Sequence, residues 1–318
     1  MENNIANTHL KYRGRIRQIP IYLGKLFRMF VYMDDWKVLP MAAVIAGLVS
    51  LVAGANMFKT MEGTMMGSLA LSCVCIWNGF FNSIQSVCRE REIVKREHRS
   101  GMHISSYIFA HIIYQSFLCI AQSIITVVIC SLTGMDFPAQ GLIFPSMKFE
   151  LGVTLFLITF AADMMSLMIS CFAKNTTAAM TIMPFTLIFE LLFSGSMFGL
   201  GGSLAKFTDL SLAKWGINCI CSQANYNSLP MVTVWNQLFK FREVDIYGEK
   251  PIKEITDYMY QNNLVDQFCK MIGENSANSE YVMSYGNILN CWAVLIMFAM
   301  LFAVIAVIIL ERIDNDKR

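Results

Sequence analysis

The sequence predicts an all-α membrane protein with six transmembrane helices, and three observations support this fold class. First, 55% of its 318 residues are hydrophobic and only 15% are charged, whereas ordinary soluble domains carry roughly 25% charged residues. Second, the apolar residues form six long runs. Third, the basic residues lie mainly between those runs, on one side of the expected membrane. This composition excludes a disordered chain and a nucleic-acid-binding domain, and it disfavours a soluble enzyme.

The six apolar runs each reach the roughly 20 residues that a helix needs to cross the hydrocarbon core. They cover residues 38–57, 65–87, 104–132, 151–172, 178–200 and 288–310, numbered here as spans 1 to 6. Glycine and proline inside these runs do not exclude helices, because membrane helices tolerate both residue types. We therefore expect a multi-pass protein of the plasma membrane.

The distribution of Lys and Arg predicts the orientation of the spans. Sixteen basic residues fall in the segment before span 1, the links 2–3 and 4–5, and the C-terminal tail. The opposite short links carry only Lys59 and Lys148. Because short cytoplasmic links are enriched in basic residues, both termini are expected in the cytoplasm.

This topology divides the chain into four regions. Residues 1–37 form a cytoplasmic segment, and residues 38–200 hold spans 1–5. Residues 201–287 form a large external domain, and residues 288–318 hold span 6 and a cytoplasmic tail. In the first region, residues 16–33 have the pattern of an amphipathic helix lying on the inner membrane surface. An ordinary cytoplasmic helix is the alternative.

The expected external domain contains an amphipathic pattern and three cysteines. Apolar residues at helical spacing predict one helix over residues 251–272. We interpret this helix as a lid over the outer end of the bundle of spans. A disulfide from Cys219 or Cys221 to Cys269 is compatible with the sequence, although spacing alone does not establish pairing. The Cys219–Cys221 spacing does not fit a zinc site.

Four ionisable residues in or near the spans are candidates for intramembrane chemistry: His111, Glu150, Asp163 and Glu190. Charges within spans are costly and face a bundle interior or an aqueous cavity. Glu190 is interpreted either as a cavity residue that contacts polar substrate or takes a proton, or as a packing residue. The pattern favours a structural role for His111 and for Asp163, with Ser166 and Thr159 as partners of Asp163.

The sequence lacks the motifs of an enzyme. It has no G-x-x-x-x-G-K-[ST] phosphate loop, and no lysine directly follows the glycine cluster at residues 195–202. An intramembrane metal hydrolase would need an H-E-x-x-H or paired-acid motif, and neither occurs. The chain is therefore predicted to bind no cofactor or metal and to hydrolyse no ATP by itself.

The link after span 2 is densely charged. Residues 88–101 read Cys-Arg-Glu-Arg-Glu-Ile-Val-Lys-Arg-Glu-His-Arg-Ser-Gly, which predicts a short helix ended at Gly101. The next helix is expected to start at Ser105 or Ser106. Composition alone also fits a solvated turn that only enforces topology.

This segment resembles the permease domains of ABC exporters of the G subfamily, the White and pleiotropic-drug-resistance group. That family carries an Arg/Glu-rich pattern after its second span. The matching residues here are Arg91, Glu92, Glu97, Gly101, Ser106 and Tyr107. Two further matches are Phe193-Ser194-Gly195 near the end of span 5, and the 212–217 stretch with Trp215, followed by Asn225-Tyr226. The order of parts agrees as well, and the resemblance covers about residues 15–312.

The resemblance implies a permease that dimerises above two ATP-binding subunits. Helix 88–101 would be the coupling helix that meets the ATPase, with Glu90, Arg91 and Glu97 at that interface. ATP and Mg would be bound by the ATPase and not by this chain. Membrane lipids are expected partners, and nucleic acid is not.

The same resemblance implies a substrate cavity between two permease copies, lined by spans 2 and 5. The implied cavity residues are Cys75, Asn78, Phe81, Asn82, Pro184, Ile188, Glu190 and Leu191. The outer gate falls on Ser196 and Met197, where multidrug members have paired leucines. The aromatic stacking position of span 2 falls on Asn78. These departures, together with Glu190, indicate a more polar cavity.

The sequence therefore predicts a permease subunit of an ATP-driven exporter that moves an amphipathic substrate outward by alternating access. Lipids, peptide antibiotics and drugs all fit such a cavity, and the second copy is either identical or a paralogous permease. Members of the family often carry the ATPase on the same chain. Met1 and the surface helix favour a separate permease here, with a fragment of a fused transporter as the alternative.

Two functions of other classes stay open at this point. One is an ATP-independent, proton-coupled transporter that uses Glu190 and Asp163. The other is a membrane receptor or immunity protein whose external domain binds a ligand.

Overall fold

The computed structural model describes residues 14–33, 35–196, 202–245 and 249–312. The helices and turns of these ranges form an all-α fold with twelve α-helices. They are α1 Arg15–Tyr32, α2 Val38–Ala53, α3 Met61–Ser83, α4 Arg91–Arg99, α5 Ile104–Leu132, α6 Met147–Phe172, α7 Thr176–Leu192, α8 Leu212–Gln223, α9 Thr233–Lys240, α10 Pro251–Gln261, α11 Val265–Asn275 and α12 Tyr285–Glu311.

Five helical segments of the described chain are long and apolar enough to cross a membrane. They contain α2, α3, α5, α6 and α12, which lie on spans 1, 2, 3, 4 and 6. Span 5 is shorter than predicted, because α7 has 17 residues. At 1.5 Å per residue it is about 26 Å long, against a hydrocarbon core of about 30 Å. The chain turns after Leu192, and Gly195 takes a left-handed conformation with φ of 76°.

Helix α6 forms the centre of the bundle. It packs most extensively against α3 and α12, and it also contacts α5 and α8. Gly79 of α3 marks a close approach, because a Cβ atom there would lie 2.4 Å from the carbonyl oxygen of Thr159. Large apolar side chains fill the rest of the contact, among them Phe80, Leu155 and Ile158. The pair α3–α6 therefore forms a closely packed frame, against which α5, α8 and α12 also lie.

Helix α7 differs from α6 because its own chain covers little of it. Its buried residues are Ala179, Met183 and Glu190. Phe185 and Ile188 are 69% and 52% exposed. An apolar helix with such exposure needs lipid or another chain against that face.

Helix α8, the first α-helix of the expected external domain, is buried against α3, α6 and α12. A Cβ atom on its Gly216 would lie 2.8 Å from Ile158 of α6. Farther along, the Glu62 carboxylate at the start of α3 accepts a hydrogen bond from the backbone N–H of Thr233, with an N–O distance of 2.7 Å. Residues 202–275 are thus attached to the bundle at both α8 and α9. The side of the membrane on which they lie stays a prediction.

The amphipathic stretch 251–272 forms two helices, so the prediction of one helix was wrong. Helix α10 ends at Gln261, and α11 begins at Val265. Between them Asn263 has a positive φ of 53°, and the N–H of Leu264 donates to the carbonyl oxygen of Met259 at 2.9 Å. Asparagine is one of the few residues that enter this conformation at low cost, and it ends the helix there.

All ten cysteines are free thiols in the structure. No bridge therefore joins Cys219 or Cys221 to Cys269. Cys219 is fully buried, with its sulfur 3.4 Å from the hydroxyl of Thr154. It fills space between α8 and α6, as a small apolar residue would.

The charged link and the surface helix lie at one end of the bundle. A 3₁₀ turn, Cys88–Glu90, precedes α4, and Gly101 follows α4 with φ of 101°. The helix therefore ends as the sequence predicts, and α5 begins at Ile104, one residue before the earliest expected start. Helix α1 packs along α5 through Leu26.

Candidate functional site

The charged link is joined to α1 and to the turn before α2 by two ion pairs. The Nζ atom of Lys25 lies 2.7 Å from a carboxylate oxygen of Glu90. Arg89 lies 3.6 Å from the carboxylate of Asp35. Glu90 is 9% exposed, so this predicted coupling residue faces α1. Partly exposed pairs contribute at most about 1 kcal/mol each, so their main effect is to orient α1 relative to the link.

Arg91 joins the same link to the end of α6. Its guanidinium donates hydrogen bonds to the carbonyl oxygens of Cys171 and Ala173, at 2.8 and 3.2 Å. The last carbonyls of a helix have no partner within the helix, and a cation at that end is favoured by the helix dipole. Arg91 thus fixes α4 to the C-terminal end of the central helix.

The first turns of α1 and α5 are tied together beside the link. The side-chain amide of Gln18 donates to the carbonyl oxygen of Gly101 at 3.1 Å and accepts from the N–H of His103 at 2.9 Å. The hydroxyl of Ser106 donates to the carbonyl oxygen of Arg15 at 2.8 Å. These bonds join the turn after α4 to α1, and α1 to the first turn of α5.

Glu97, the third predicted coupling residue, lies near the surface helix. Burial and then the neighbouring Glu97 carboxylate raise the pKa of Tyr22 in α1 to about 12. Tyr22 in turn packs edge-on against Tyr107 of α5, with ring centroids 5.7 Å apart. Glu97 therefore contributes to the junction of α1, α4 and α5.

The opposite face of α4 is open. Val94 is fully buried and fixes the helix to the bundle. The exposed residues are Glu92, Ile93, Arg96 and Arg99. The structure thus separates two sets that the sequence did not distinguish. Glu90, Arg91 and Glu97 contact the chain's own helices, whereas Glu92, Ile93 and Arg96 lie on the exposed face.

A cavity of about 260 Å³ lies next to this link, between α1, α3, α5 and α7. Phe81 and Asn82, two predicted cavity residues, are part of its wall, together with Arg89 and His111. His111 is buried and packs edge-on against Tyr107 at 4.6 Å between ring centroids. This cavity lies within one chain, and the predicted cavity between two copies stays a prediction.

A network of polar side chains joins α3, α5 and α6 in the interior of the bundle. The Asp163 carboxylate of α6 accepts hydrogen bonds from the Ser83 hydroxyl, the Asn82 amide at 3.2 Å and the Cys119 thiol at 3.3 Å. Asn82 and Gln122 exchange two hydrogen bonds of 2.9 Å each. Asn82 therefore belongs both to this network and to the cavity wall.

The expected partners of Asp163 were wrong. The hydroxyl of Ser166 donates to the carbonyl oxygen of Phe80, and that of Thr159 donates to the carbonyl oxygen of Leu155, both at 2.8 Å. The sequence did carry a signal for the α5 side of this network. Gln115, Cys119 and Gln122 recur at spacings of four and three residues, which places them on one face of a helix.

Glu190 caps a helix. Its carboxylate accepts hydrogen bonds from the Ser211 hydroxyl at 2.8 Å and from the N–H of Ala213 at 3.0 Å, so it occupies the first turn of α8. The side chain is 3% exposed. Glu150 has a comparable role, since it accepts from the backbone N–H groups of residues 143 and 144 at 2.8 and 3.1 Å. Both acids satisfy backbone donors. Glu190 also lines a cavity of about 200 Å³ at the junction of α3 and α7, so its role toward a substrate stays a prediction.

The predicted cavity residues of α3 divide between its two faces. Cys75 and Asn78 are 2% and 4% exposed and lie inside the chain's own bundle. Trp77 is 45% exposed and packs beside Phe81, with ring centroids 6.1 Å apart. The aromatic residue on the open face of α3 is thus Trp77, one position before the residue that the resemblance indicated.

The predicted cavity residues of α7 lie on or near its open face. Pro184 and Ile188 are exposed, and Leu191 is half-buried. Ile188 and Leu191 share a cavity of about 200 Å³ with Trp77 of α3. The structure therefore brings together an apolar surface of Trp77, Ile188 and Leu191 at the junction of α3 and α7.

The predicted outer gate is described only in part. Ser196 follows the turn after α7, and its hydroxyl lies 3.1 Å from that of Ser194. Met197 lies outside the described residues. Among the residues that are described, no group of three or more His, Cys, Asp or Glu side chains is arranged to hold a metal ion.

Comparison with known protein families identifies the family to which this chain belongs. Residues 25–222 match the family described as ABC-2 type transporter. The chain belongs to this ABC-2 type transporter family. It is a permease membrane domain of an ABC transporter, and its described part has several helices long and apolar enough to cross a membrane.

This ABC-2 domain is also similar to an "ABC transporter ATP-binding/permease protein" of Mycobacterium tuberculosis. The two are 29% identical over 149 residues, which is 46% of this chain and 17% of the mycobacterial protein. The aligned stretch thus spans about a sixth of that relative. The matched residues, 25–222, include the charged link, the polar network, α7 and nearly all of α8. Helices α9–α12 lie beyond it.

Proposed function

We propose that this ABC-2 domain is the permease subunit of an ATP-driven exporter whose ATPase is a separate chain. The observation that carries the proposal is the two-sided construction of α4. Glu90, directly before α4, pairs with Lys25 within α1, and Arg91, the first residue of α4, binds the C-terminal end of α6. The exposed residues Glu92, Ile93 and Arg96 form a charged outer face. A helix built in this way can receive a displacement on one face and pass it to two helices on the other.

The proposed mechanism is alternating access. ATP and Mg bind to two ATPase subunits, whose closure presses on the exposed face of α4. Lys25 and Glu90 carry this displacement to α1, and Arg91 carries it to α6. The cavity between two permease copies, with Trp77 and Ile188 on its walls, then closes and releases an amphipathic substrate outward. The exposure of Trp77 and of the α7 face supports a second copy there. Coupling of this kind requires that the contacts differ between the two states.

The charged pattern from Arg91 to Tyr107 and the order of helices support membership of the G subfamily. The excess of basic residues at the α1–α4 end supports placing that end and both termini in the cytoplasm, with the protein in the plasma membrane. The second permease copy is either identical or a paralogue.

Purification of the tagged chain from its native membrane tests the proposal. An ABC ATPase is expected to co-purify in mild detergent, and the complex is expected to hydrolyse ATP. The variants Glu92→Arg and Arg96→Glu reverse charge on the exposed face, so they should reduce the amount of co-purified ATPase severalfold.

Internal variants separate binding from coupling. Lys25→Met and Arg91→Met remove inner contacts and leave the exposed face unchanged, so the ATPase should still co-purify while transport falls. Asp136→Asn, at the other end of the bundle, is the matched control and should change neither property. A chain that co-purifies with no ATPase, or exposed-face variants that bind it normally, would contradict the proposal.

A further inference from the structure

The lipid-facing side of the bundle has a groove between α5 and α6, with a volume of about 570 Å³. Its walls are apolar over most of their length and include Ile124, Val128 and Phe156. Ile124 and Val128 are 59% and 49% exposed. Both helices are span-length and apolar, so the surrounding medium of this groove is the hydrocarbon of the bilayer.

Gly152 deepens the groove. A Cβ atom at this position would meet only the Val127 Cγ2 atom, at an ordinary contact distance of 3.7 Å. This glycine therefore differs from Gly79, where the neighbouring helix fills the space. The absent side chain at Gly152 leaves room for a flexible hydrocarbon chain to lie close to the α6 backbone.

A cation stands at one end of the groove. Lys148, in the first turn of α6, is part of its wall and lies over the Phe137 ring, with 5.4 Å from Nζ to the ring centroid. Ser146 lies beside it. The groove thus has a long apolar part and one positively charged end, the complement of a molecule with a hydrocarbon tail and an anionic head.

We propose that this groove is a binding site for a phospholipid with a net anionic headgroup. One acyl chain lies along Ile124, Val128 and Phe156 over Gly152, and the headgroup phosphate pairs with Lys148. A zwitterionic headgroup carries its own cation beside the phosphate, so it pairs less favourably with Lys148. An exposed ion pair contributes up to about 1 kcal/mol, which makes the preference for the anionic lipid roughly fivefold. The site is independent of the proposed ATPase surface, which lies at the other end of the bundle.

Native mass spectrometry of the detergent-purified protein, titrated with phosphatidylglycerol or phosphatidylcholine of equal chain length, tests the proposal. The unmodified protein should bind phosphatidylglycerol roughly fivefold more tightly. Lys148→Ala should remove that preference, and Lys148→Arg should restore it. Lys59→Ala is the matched control, because Lys59 is paired with Asp136 at 2.7 Å and does not line the groove.

A second variant tests the apolar part. Gly152→Leu places a side chain in the groove and should weaken binding of both lipids. Gly286→Leu, at an open position of α12 outside the groove, should not. Lys148 is exposed, so Lys148→Ala should fold normally, which a thermal unfolding curve without lipid checks. Equal binding of both lipids by the unmodified protein, unaffected by Lys148→Ala, would show annular lipid only and overturn the proposal. An equal loss in Lys59→Ala would also overturn it.

Discussion

Asp163 and Glu190 are both buried acids on apolar helices, and the structure gives them different partners. Asp163 accepts hydrogen bonds from side chains on two other helices, Ser83 and Asn82 of α3 and Cys119 of α5. Glu190 accepts from Ser211 and from a backbone N–H in the first turn of α8. The first acid joins three helices that are distant in sequence. The second joins two that follow one another in the chain.

The comparison shows what a buried acid stabilises in this fold. Helix α6 is enclosed by α3, α5 and α12, so a change at Asp163 acts on the centre of the bundle. Helix α7 has few contacts with its own chain, so a change at Glu190 acts on the joint between α7 and α8. The bundle centre around Asp163 is held by contacts among several helices. Helix α7 is attached to it mainly where Glu190 caps the first turn of α8.

The largest effect is expected for Asp163→Ala. The substitution leaves the hydroxyl of Ser83 without its acceptor in a buried site and removes one of the two acceptors of the Asn82 amide, which keeps Gln122. Unfolding should become easier by about 3 kcal/mol, measured by denaturant titration in micelles. Asp163→Asn keeps an acceptor oxygen and should lose less. If the two variants were equally stable, Asp163 would not hold the frame through these hydrogen bonds.

Gly79→Ala tests whether the frame depends on the close approach of α3 to α6. The added Cβ atom would lie 2.4 Å from the Thr159 carbonyl and 2.7 Å from the Asp163 amide nitrogen. Overpacking of this kind costs about 2 kcal/mol. Gly152→Ala, on the same bundle but in open space, is the matched control and should not destabilise the protein. Equal thermal stability of Gly79→Ala and Gly152→Ala would show that the close approach at Gly79 does not limit the packing of α3 on α6.

A smaller and local effect is expected for Glu190→Ala. Loss of a helix cap costs about 1 kcal/mol, and the freed donors belong to the first turn of α8. Hydrogen exchange should accelerate at the Ala213 amide and stay unchanged in the middle of α6. Glu190→Gln retains an acceptor oxygen and should protect Ala213 almost fully. If Glu190→Ala also accelerated exchange across α6, Glu190 would stabilise the α3–α6 frame, and the local role given to it here would be wrong.

Several elements of the fold could be predicted from local sequence. Helix α5 covers the predicted span 3, and α4 ends two residues before Gly101, where the sequence predicts a stop. Apolar length and a glycine with positive φ act within a few residues, so they are visible in the sequence. The break at Asn263 is also local, but the apolar repeat on both sides of it conceals the turn.

The candidate site could be predicted less well, because a side chain's role depends on its neighbour. Trp77 and Asn78 are adjacent in α3, yet one lies on the open face and the other inside the bundle. Glu90 and Glu92 are two residues apart in the charged link, and only Glu92 is free to meet another protein. In a helix that is apolar on every side, no periodic pattern shows which face meets protein and which meets lipid.

The sequence by itself determined that this chain is a helical membrane protein and where its charges are concentrated. These properties depend on the length and composition of short segments, and the bilayer imposes them directly. Only the tertiary structure decided that α3 and α6 form the closely packed centre of the bundle. It also decided that Asp163, and not Glu190, bonds to side chains of that centre. The packing of α3 on α6 at Gly79 sets the positions of Ser83 and Asn82 relative to Asp163. Such contacts join residues about 80 positions apart, and their geometry follows from shape complementarity between helices rather than from any one segment.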